Sequence, residues 1–333
     1  LGASHPDKHR EIGSESTPDE YLATMVAVFR EVRRVLRPDG TCWVNMGDSY
    51  ATQPAGNKDM ANRRPFDGGA YRSNIGMNTT KHAKPKDLLM MPARLALALQ
   101  ADGWWVRSDI IIAKRNPMPE SCRDRPTSAH EHVFLLTKSA HYFFDSDAVR
   151  EGVTGAAHAR GMPPKTAEAG SGIKANDSFR AATMQVVTSR NIRNVWDIST
   201  EAFSGAHFAT MPTSVVERAI RAGTSERGCC SQCGKPWVRV TERETTTTGW
   251  RAGCDHGAPV VPCTVLDPFA GAGTTLLVAD RLQRDAIGIE LNTAYTEMAM
   301  ERCRDDAPLF ADLPPAADPE DARMADLFAE AAE

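Results

Sequence analysis

Nine residues in the last quarter of this chain, Asp267-Pro268-Phe269-Ala270-Gly271-Ala272-Gly273-Thr274-Thr275, have the types and spacing to hold a nucleoside. They follow Thr264-Val265-Leu266, a short apolar run read as a buried strand, and lead into a helix expected to reach about Leu282. A glycine-rich turn between strand and helix lets a ligand approach the backbone closely, and it aims the free N–H groups of the helix at negative charge. The next expected strand, Ala286 to Ile289, ends in Glu290, an acid placed to bind both hydroxyls of a ribose. A bare Gly-x-Gly could simply pack a helix on a sheet. Here strand, turn, helix, strand and acid follow in the order that nucleoside binding requires, and a nucleoside site is the expectation.

A second cluster has metal chemistry. Cys230-Ser231-Gln232-Cys233-Gly234 sets two thiolates two residues apart on a tight glycine turn, which is half of a tetrahedral zinc site. Cys254 and His256 are the expected second half, with Cys229 and Cys263 as competitors. The alternative is a set of unrelated buried or free thiols. No open coordination position is suggested, so the metal would be structural zinc. The remaining cysteines, Cys42, Cys122 and Cys303, read as core or surface thiols.

The elements that must position these groups alternate between helix and strand. Thr17-Pro18-Asp19-Glu20 is a helix start with a capping box, and apolar residues recur at Tyr21, Met25, Val28, Phe29, Val32 and Leu36. Pro38-Asp39-Gly40 stops that helix, and Thr41 to Met46 reads as a strand ending at Gly47-Asp48-Ser49-Tyr50. A long loop, Ala51 to Lys86, precedes a helix from about Leu88 to Ala101. Strands are expected over Trp104 to Ala113 and Glu131 to Thr137, with His141 to Asp145 pairing nearby. Val153 to Arg190 is poor in apolar residues and reads as a mobile insertion; a helix follows from about Ser214 to Arg221. The alternation predicts an α/β fold, a doubly wound and mostly parallel sheet with helices on both faces, carrying a small zinc-knuckle-like insertion.

Bulk properties narrow the partners. The 333 residues carry a net charge of −4, which gives no global case for binding an anionic polymer. The basic residues are nevertheless uneven, with Arg63, Arg64, Arg72, Lys81, Lys84, Lys86, Arg107, Lys114, Arg115, Arg123 and Arg125 in the stretch from Lys58 to Arg125 and an acidic tail after Asp305. No apolar run approaches membrane-spanning length, so no membrane partner is expected, and the expected location is cytoplasmic. The chain begins with Leu1, which reads as a processed product or a piece of a longer chain.

The turn Asp267 to Thr275, followed by Gly288-Ile289-Glu290-Leu291, resembles the S-adenosylmethionine site of the DNA N4-cytosine/N6-adenine methyltransferases. The dinucleotide pattern would want a third glycine near Thr275. The resemblance implies that Asp267, Pro268, Phe269, Gly271 and Gly273 wall the cofactor, that Thr274 and Thr275 hold its methionine end, and that Glu290, beside Leu291, takes the ribose. His207-Phe208-Ala209-Thr210-Met211-Pro212 is similar to the segment that closes over the cofactor, which adds Phe208, Thr210 and Pro212. Lys114-Arg115-Asn116-Pro117-Met118-Pro119 and His130-Glu131-His132-Val133-Phe134 are similar to the strand and loop flanking the target-base pocket. The order is permuted, with the catalytic half first.

That resemblance implies a site-specific DNA methyltransferase acting on an exocyclic amino nitrogen. Such a nitrogen is a weak nucleophile, because its lone pair is delocalised into the base; it must be held by acceptors and aligned with the methyl group. The base must first leave the duplex, which costs a few kcal/mol, and stacking on an aromatic ring returns about 1–3 kcal/mol. The family does this with Asp or Ser, two prolines and an aromatic residue. The sequence has Pro-Pro pairs only at Pro163-Pro164 and Pro314-Pro315, and neither has that setting. Ile12-Gly13-Ser14-Glu15-Ser16-Thr17-Pro18 is similar to a segment that lies shortly after the tetrapeptide, so the expectation is that it preceded Leu1. Ligands bind beyond the carboxyl ends of strands, so Asp48, Ser49 and Tyr50 should border the base pocket; Asp48 reads equally as a turn residue capping its strand.

The expected divisions are a catalytic, base-binding half over 1–150, a mobile and target-recognising insertion over 151–190, a cofactor-closing segment over 191–224, a zinc-like insertion over 225–263, a cofactor half over 264–304 and an acidic tail over 305–333. Double-stranded DNA is the expected partner, its phosphates held by Arg63, Arg64, Lys114, Arg115, Arg123 and Arg125. A homodimer and a paired restriction nuclease are the candidate protein partners. Two rival functions remain open: a catalytically incomplete remnant that binds DNA and cofactor, and a nicotinamide-dependent oxidoreductase using the same turn.

Overall fold

The computed structural model describes residues 10–51, 83–153, 189–199, 211–242 and 246–306. The chain divides into two compact units. One comprises Leu1–Phe143, Asn194–Ile220 and Thr264–Glu333; the other comprises Phe144–Arg193 and Arg221–Cys263.

In the first unit, α1 (Pro18–Val35) opens with the expected capping box, in which the Glu20 N–H donates to Thr17 Oγ1 and the Thr17 N–H donates to Glu20 Oε2, both at 3.0 Å. Met25, Val28, Phe29 and Val32 line its buried stripe. The helix ends because Leu36 turns extended and Pro38 disfavours a helical residue before it. β1 (Thr41–Met46) follows, then α2 (Met91–Ala101), β2 (Trp105–Lys114) and β3 (His130–Thr137). Met25, Phe29 and Val32 of α1, Leu95 and Leu99 of α2, and Val44, Phe134 and Leu136 of the sheet form one core. Truncating Leu95 or Leu99, both essentially without solvent exposure, would cost about 2–5 kcal/mol each.

The sheet departs from the mostly parallel expectation. Its order is β1-β3-β2-β6, where β6 is Val195–Ile198. β3 runs antiparallel to both β1 and β2, and only β2 and β6 are parallel. A parallel pair needs a crossover such as a helix. α2 supplies one between β1 and β2, so those two strands point the same way. The irregular segment between Lys114 and His130 carries no helix, and β3 therefore returns between them in the opposite sense. Parallel pairing recurs in β11 (Thr264–Asp267) and β12 (Asp285–Gly288), joined through a helix, Thr274–Arg281.

Two smaller expectations are also corrected. The helix expected from Leu88 begins at Met91, because Leu88 bridges to Tyr50 and Met90 has a left-handed backbone with φ +55°. His141 to Asp145 forms no strand: the Phe143 N–H donates to the Asp39 carbonyl, and Asp145 caps the short 3-10 turn Asp147–Val149 through the Ala148 N–H. The remaining helices are α3 (Thr213–Gly223), α4 (Thr274–Arg281) and α5 (Thr293–Asp306). Val216 and Ile220 of α3 pack with Val278 and Ala279 of α4, and Val265 of β11 lies against them.

The second unit is built from short two-stranded ladders: β4 (Glu151–Gly152) with β5 (Ser189–Arg190), β7 (Cys229–Cys230) with β10 (Val260–Val261), and β8 (Val238–Glu242) with β9 (Thr246–Arg251). Arg239 anchors the β8–β9 hairpin. Its guanidinium pairs with the buried Asp145 at 3.0 Å and with Glu226 at 2.6 Å, and it lies 4.5 Å from the Trp250 ring centroid. Most of the expected long loop and mobile insertion, and the acidic tail beyond Asp306, lie outside the described residues. No helix among the described residues is long and apolar enough to cross a membrane.

Candidate functional site

The glycine turn is built by hydrogen bonds that close in both directions. β11 ends at Asp267, whose Oδ1 accepts the Phe269 N–H at 2.9 Å. The Asp267 carbonyl accepts from the Ile289 N–H at 2.9 Å, and the Ile289 carbonyl accepts from Ala270 at 3.0 Å, so the turn is fastened to the end of β12. Glu290 completes the clamp: Oε2 accepts the Gly271 N–H at 2.8 Å and Oε1 accepts the Asn292 N–H at 2.8 Å. Gly273 caps α4 with φ +74°, a conformation that disfavours a side chain. A Cβ there would also lie 2.6 Å from Ala299 Cβ on α5.

These contacts bring Asp267, Pro268, Phe269, Gly271, Gly273, Thr274 and Thr275 into one turn, with Glu290 bonded into it and Leu291 next in the chain. Phe269 leaves 45% of its surface exposed, so its ring is open to a partner. Thr274 is buried, and its hydroxyl accepts from Arg302 at 3.3 Å; the same guanidinium bonds the Ala272 carbonyl. Arg302 is a turn-holding residue that the sequence reading missed. Its place three residues after Ala299 puts both on one face of α5, but nothing in the sequence alone sets that face against the turn. Pro212 precedes α3 and accepts from Val215 at 3.0 Å; its neighbour Met211 packs on the cluster containing Val278 and Val265. Phe208 and Thr210 lie outside the described residues.

At the carboxyl end of β1, Asp48 serves the backbone. Its Oδ1 accepts from Ser49 at 2.8 Å and from Met91, the first residue of α2, at 3.0 Å. The Asp48 carboxylate thus caps α2, which has no cap from its own N-cap side chain. Ser49 is exposed, and its carbonyl accepts from Leu89. The Tyr50 ring carries the Arg125 guanidinium 3.8 Å from its centroid.

The basic candidates divide by what they already touch. Lys114 is paired with Glu131, which also accepts from Asn45 Nδ2 at 3.3 Å. Arg125, besides stacking on Tyr50, is paired with Glu120 at 2.6 Å. Arg115 makes a 2.8 Å pair with Asp197 but stays 62% exposed; that bond holds the Asp197 carboxyl below the usual carboxylate range. Arg123 is exposed, and no partner of its side chain occurs among the described residues. Next to it, the Cys122 thiol and then the Lys86 ammonium hold the Asp124 carboxyl down to about 2. Arg63 and Arg64 lie outside the described residues.

In the second unit the four expected metal ligands converge. One ligand atom each from Cys230, Cys233, Cys254 and His256 lies within 4.8 Å of the others. The two competitors turn elsewhere: Cys229 Sγ faces the Pro262 carbonyl at 3.5 Å, and Cys263 Sγ faces the Ser225 carbonyl at 3.8 Å.

A model of the DNA methylase family, covering N6 and N4 enzymes, matches residues 4–301. Type II methyltransferase M.Cfr9I of Citrobacter freundii is 37% identical over 292 residues, 88% of this chain and 74% of that protein. Type II methyltransferase M.SmaI of Serratia marcescens is 34% identical over 292 residues, 88% of this chain and 77% of that protein. Among solved structures, the PvuII cytosine-N4-specific DNA methyltransferase matches at 16% identity over 95% of this chain and 78% of that one, with a TM-score of 0.49.

Proposed function

The chain belongs to the N6/N4 DNA methylase family, and from that membership we propose that it methylates an exocyclic amino nitrogen of adenine (N6) or cytosine (N4) in double-stranded DNA, with S-adenosylmethionine as donor. Membership removes the nicotinamide-dependent oxidoreductase from consideration. The observation that carries the cofactor assignment is the bond from the Gly271 N–H to Glu290, which sets an acid against a glycine turn beside the exposed ring of Phe269.

The donor set fits that cofactor. Bound there, S-adenosylmethionine supplies an electrophilic methyl group on a sulfonium centre. Each Glu290 oxygen spends one lone pair on a backbone N–H and keeps another for a ribose hydroxyl. Phe269 offers an apolar face for adenine. The N-terminus of α4, at Thr274 and Thr275, favours the carboxylate of the methionine end.

For the DNA base, the groups at the carboxyl end of β1 form the proposed pocket wall. Asp48 acts there by fixing α2, while the Ser49 hydroxyl and the Tyr50 ring are the groups with chemistry to offer the base. Arg123 and Arg115 are the proposed phosphate contacts, and Lys114 and Arg125 position the surrounding backbone. A structural zinc ion on the Cys230 cluster belongs to the same reading.

A second reading is binding of DNA and cofactor without methyl transfer. No run of Asp or Ser, two prolines and an aromatic residue occurs in the 333 residues. Both Pro-Pro pairs, Pro163-Pro164 and Pro314-Pro315, lie outside the described residues. Calorimetry with S-adenosylmethionine tests the cofactor assignment, with NAD and an Asp267→Ala variant as controls. Saturable binding that the variant loses supports it, and binding of NAD in its place overturns it. Transfer of a labelled methyl group to duplex DNA then separates the two readings, because a binding-only chain gives no labelled DNA.

A further inference from the structure

The segment from Arg227 to Pro262 has almost no hydrophobic core of its own. Its buried hydrophobic side chains, among the described residues, are Cys229 and Cys230. Its ladders β7–β10 and β8–β9 are two-stranded, a size that is marginal in water without further support. A lobe of this kind needs a staple, and no disulfide is present among the eight cysteines.

We infer that Cys230, Cys233, Cys254 and His256 form a closed site for one Zn2+, with His256 as the fourth ligand through Nδ1, and that the ion folds the lobe and takes no part in methyl transfer. This rests on, and deepens, the zinc assignment made above.

The geometry carries the ligand set. Zinc–sulfur bonds of about 2.3 Å and zinc–nitrogen bonds of about 2.0 Å give a tetrahedron whose edges are about 3.5–3.8 Å. Cys233 Sγ and Cys254 Sγ are 3.4 Å apart, and Cys230 Sγ is 3.9 Å from His256 Nδ1. The first half is a tight knuckle: the Gly234 N–H donates to the Cys230 carbonyl at 2.7 Å. The halves approach closely at Gly253, where a Cβ would lie 2.3 Å from the Pro236 carbonyl oxygen. Three thiolates with one imidazole in tetrahedral array suit zinc, and four protein ligands leave no position for a reacting water.

The test uses the whole chain, purified without chelator. Elemental analysis should find about one zinc per chain. Replacement by Co2+ should give the intense visible bands of a tetrahedral thiolate site. Cys233→Ser and His256→Ala should lose the metal, His256→Cys should keep it, and Cys229→Ser and Cys263→Ser should leave it unchanged. Since a ligand variant can fail by misfolding, the unmodified chain is also treated with a chelator. New tryptic cuts should then appear at Arg239 or Arg251, while binding of S-adenosylmethionine is retained. A metal-free chain that takes up no Co2+ overturns the site. Loss of metal in Cys229→Ser or Cys263→Ser overturns the ligand set, and loss of cofactor binding on chelation overturns the purely structural role. Zinc present with no S-adenosylmethionine binding sinks the cofactor assignment alone; the reverse sinks the zinc alone.

Discussion

The Glu290 carboxylate accepts the Gly271 N–H at 2.8 Å, so the acid at the end of β12 is bonded into the glycine turn that follows β11. The contact joins the acid proposed to take the ribose to the backbone proposed to approach the cofactor. Replacing Glu290 by Ala leaves the N–H groups of Gly271 and Asn292 without their acceptor, which should cost about 1–3 kcal/mol of stability. S-Adenosylmethionine affinity should fall tenfold or more, about 1.4 kcal/mol. Denaturant melts and calorimetry on the same preparation check both, and unaltered affinity would remove Glu290 from the cofactor site.

Gly273 faces two obstacles to substitution, its φ of +74° and the 2.6 Å approach to Ala299 Cβ. Gly273→Ala should destabilise the chain by about 2–4 kcal/mol, from overpacking together with left-handed strain. Adding Ala299→Gly relieves the overlap and leaves the backbone strain, so the double variant should recover only part of the loss in a urea melt. Full recovery would show that the conformation carries no cost.

Arg281 joins α4 to α5 through two hydrogen bonds to Asp306, at 2.6 and 2.7 Å. That pairing holds the Asp306 carboxyl below its ordinary range. A carboxyl whose folded pKa is depressed stabilises the fold fully above its unfolded pKa of about 3.9, and the contribution disappears as pH falls through the folded value. Both side chains are partly exposed, so Asp306→Asn should cost no more than about 1 kcal/mol at pH 7. The difference from the unmodified chain should vanish in strong acid; a gap that persists there would assign the effect to something other than charge.

Asp48 caps α2 from the end of β1, across 43 positions of sequence. Asp48→Ala should lower stability by about 1 kcal/mol, and Asp48→Asn by less, since the amide oxygen still accepts. A methyl-transfer rate that drops in Asp48→Asn at full stability would give the carboxylate a direct role at the base.

Arg123 and Arg125 are two residues apart but differently employed. Arg123→Ala should weaken duplex DNA binding uniformly across sequences and reduce the salt slope by about one ion. Arg125→Ala should instead lower thermal stability, through loss of Glu120 and the Tyr50 ring. Salt-titrated binding isotherms and melting curves separate them, and the opposite pattern would exchange their assignments.

The sequence by itself determined the local elements, the glycine turn among them. The capping box at Thr17, the stripe through Phe29 and the glycine turn before α4 are short-range features, and short-range sterics and hydrogen bonding are written in neighbouring residues. The Cys230 knuckle was legible for the same reason. Tertiary structure alone decided the rest. It set β3 between β1 and β2 in the opposite sense, because strand direction depends on how a connection crosses the sheet. It assigned Asp48 to a helix distant in sequence, turned Arg302 onto the glycine turn, and brought His256, rather than Cys229 or Cys263, to Cys230, Cys233 and Cys254. Each of these outcomes depends on which groups meet after long loops close, and no spacing along the chain encodes that meeting.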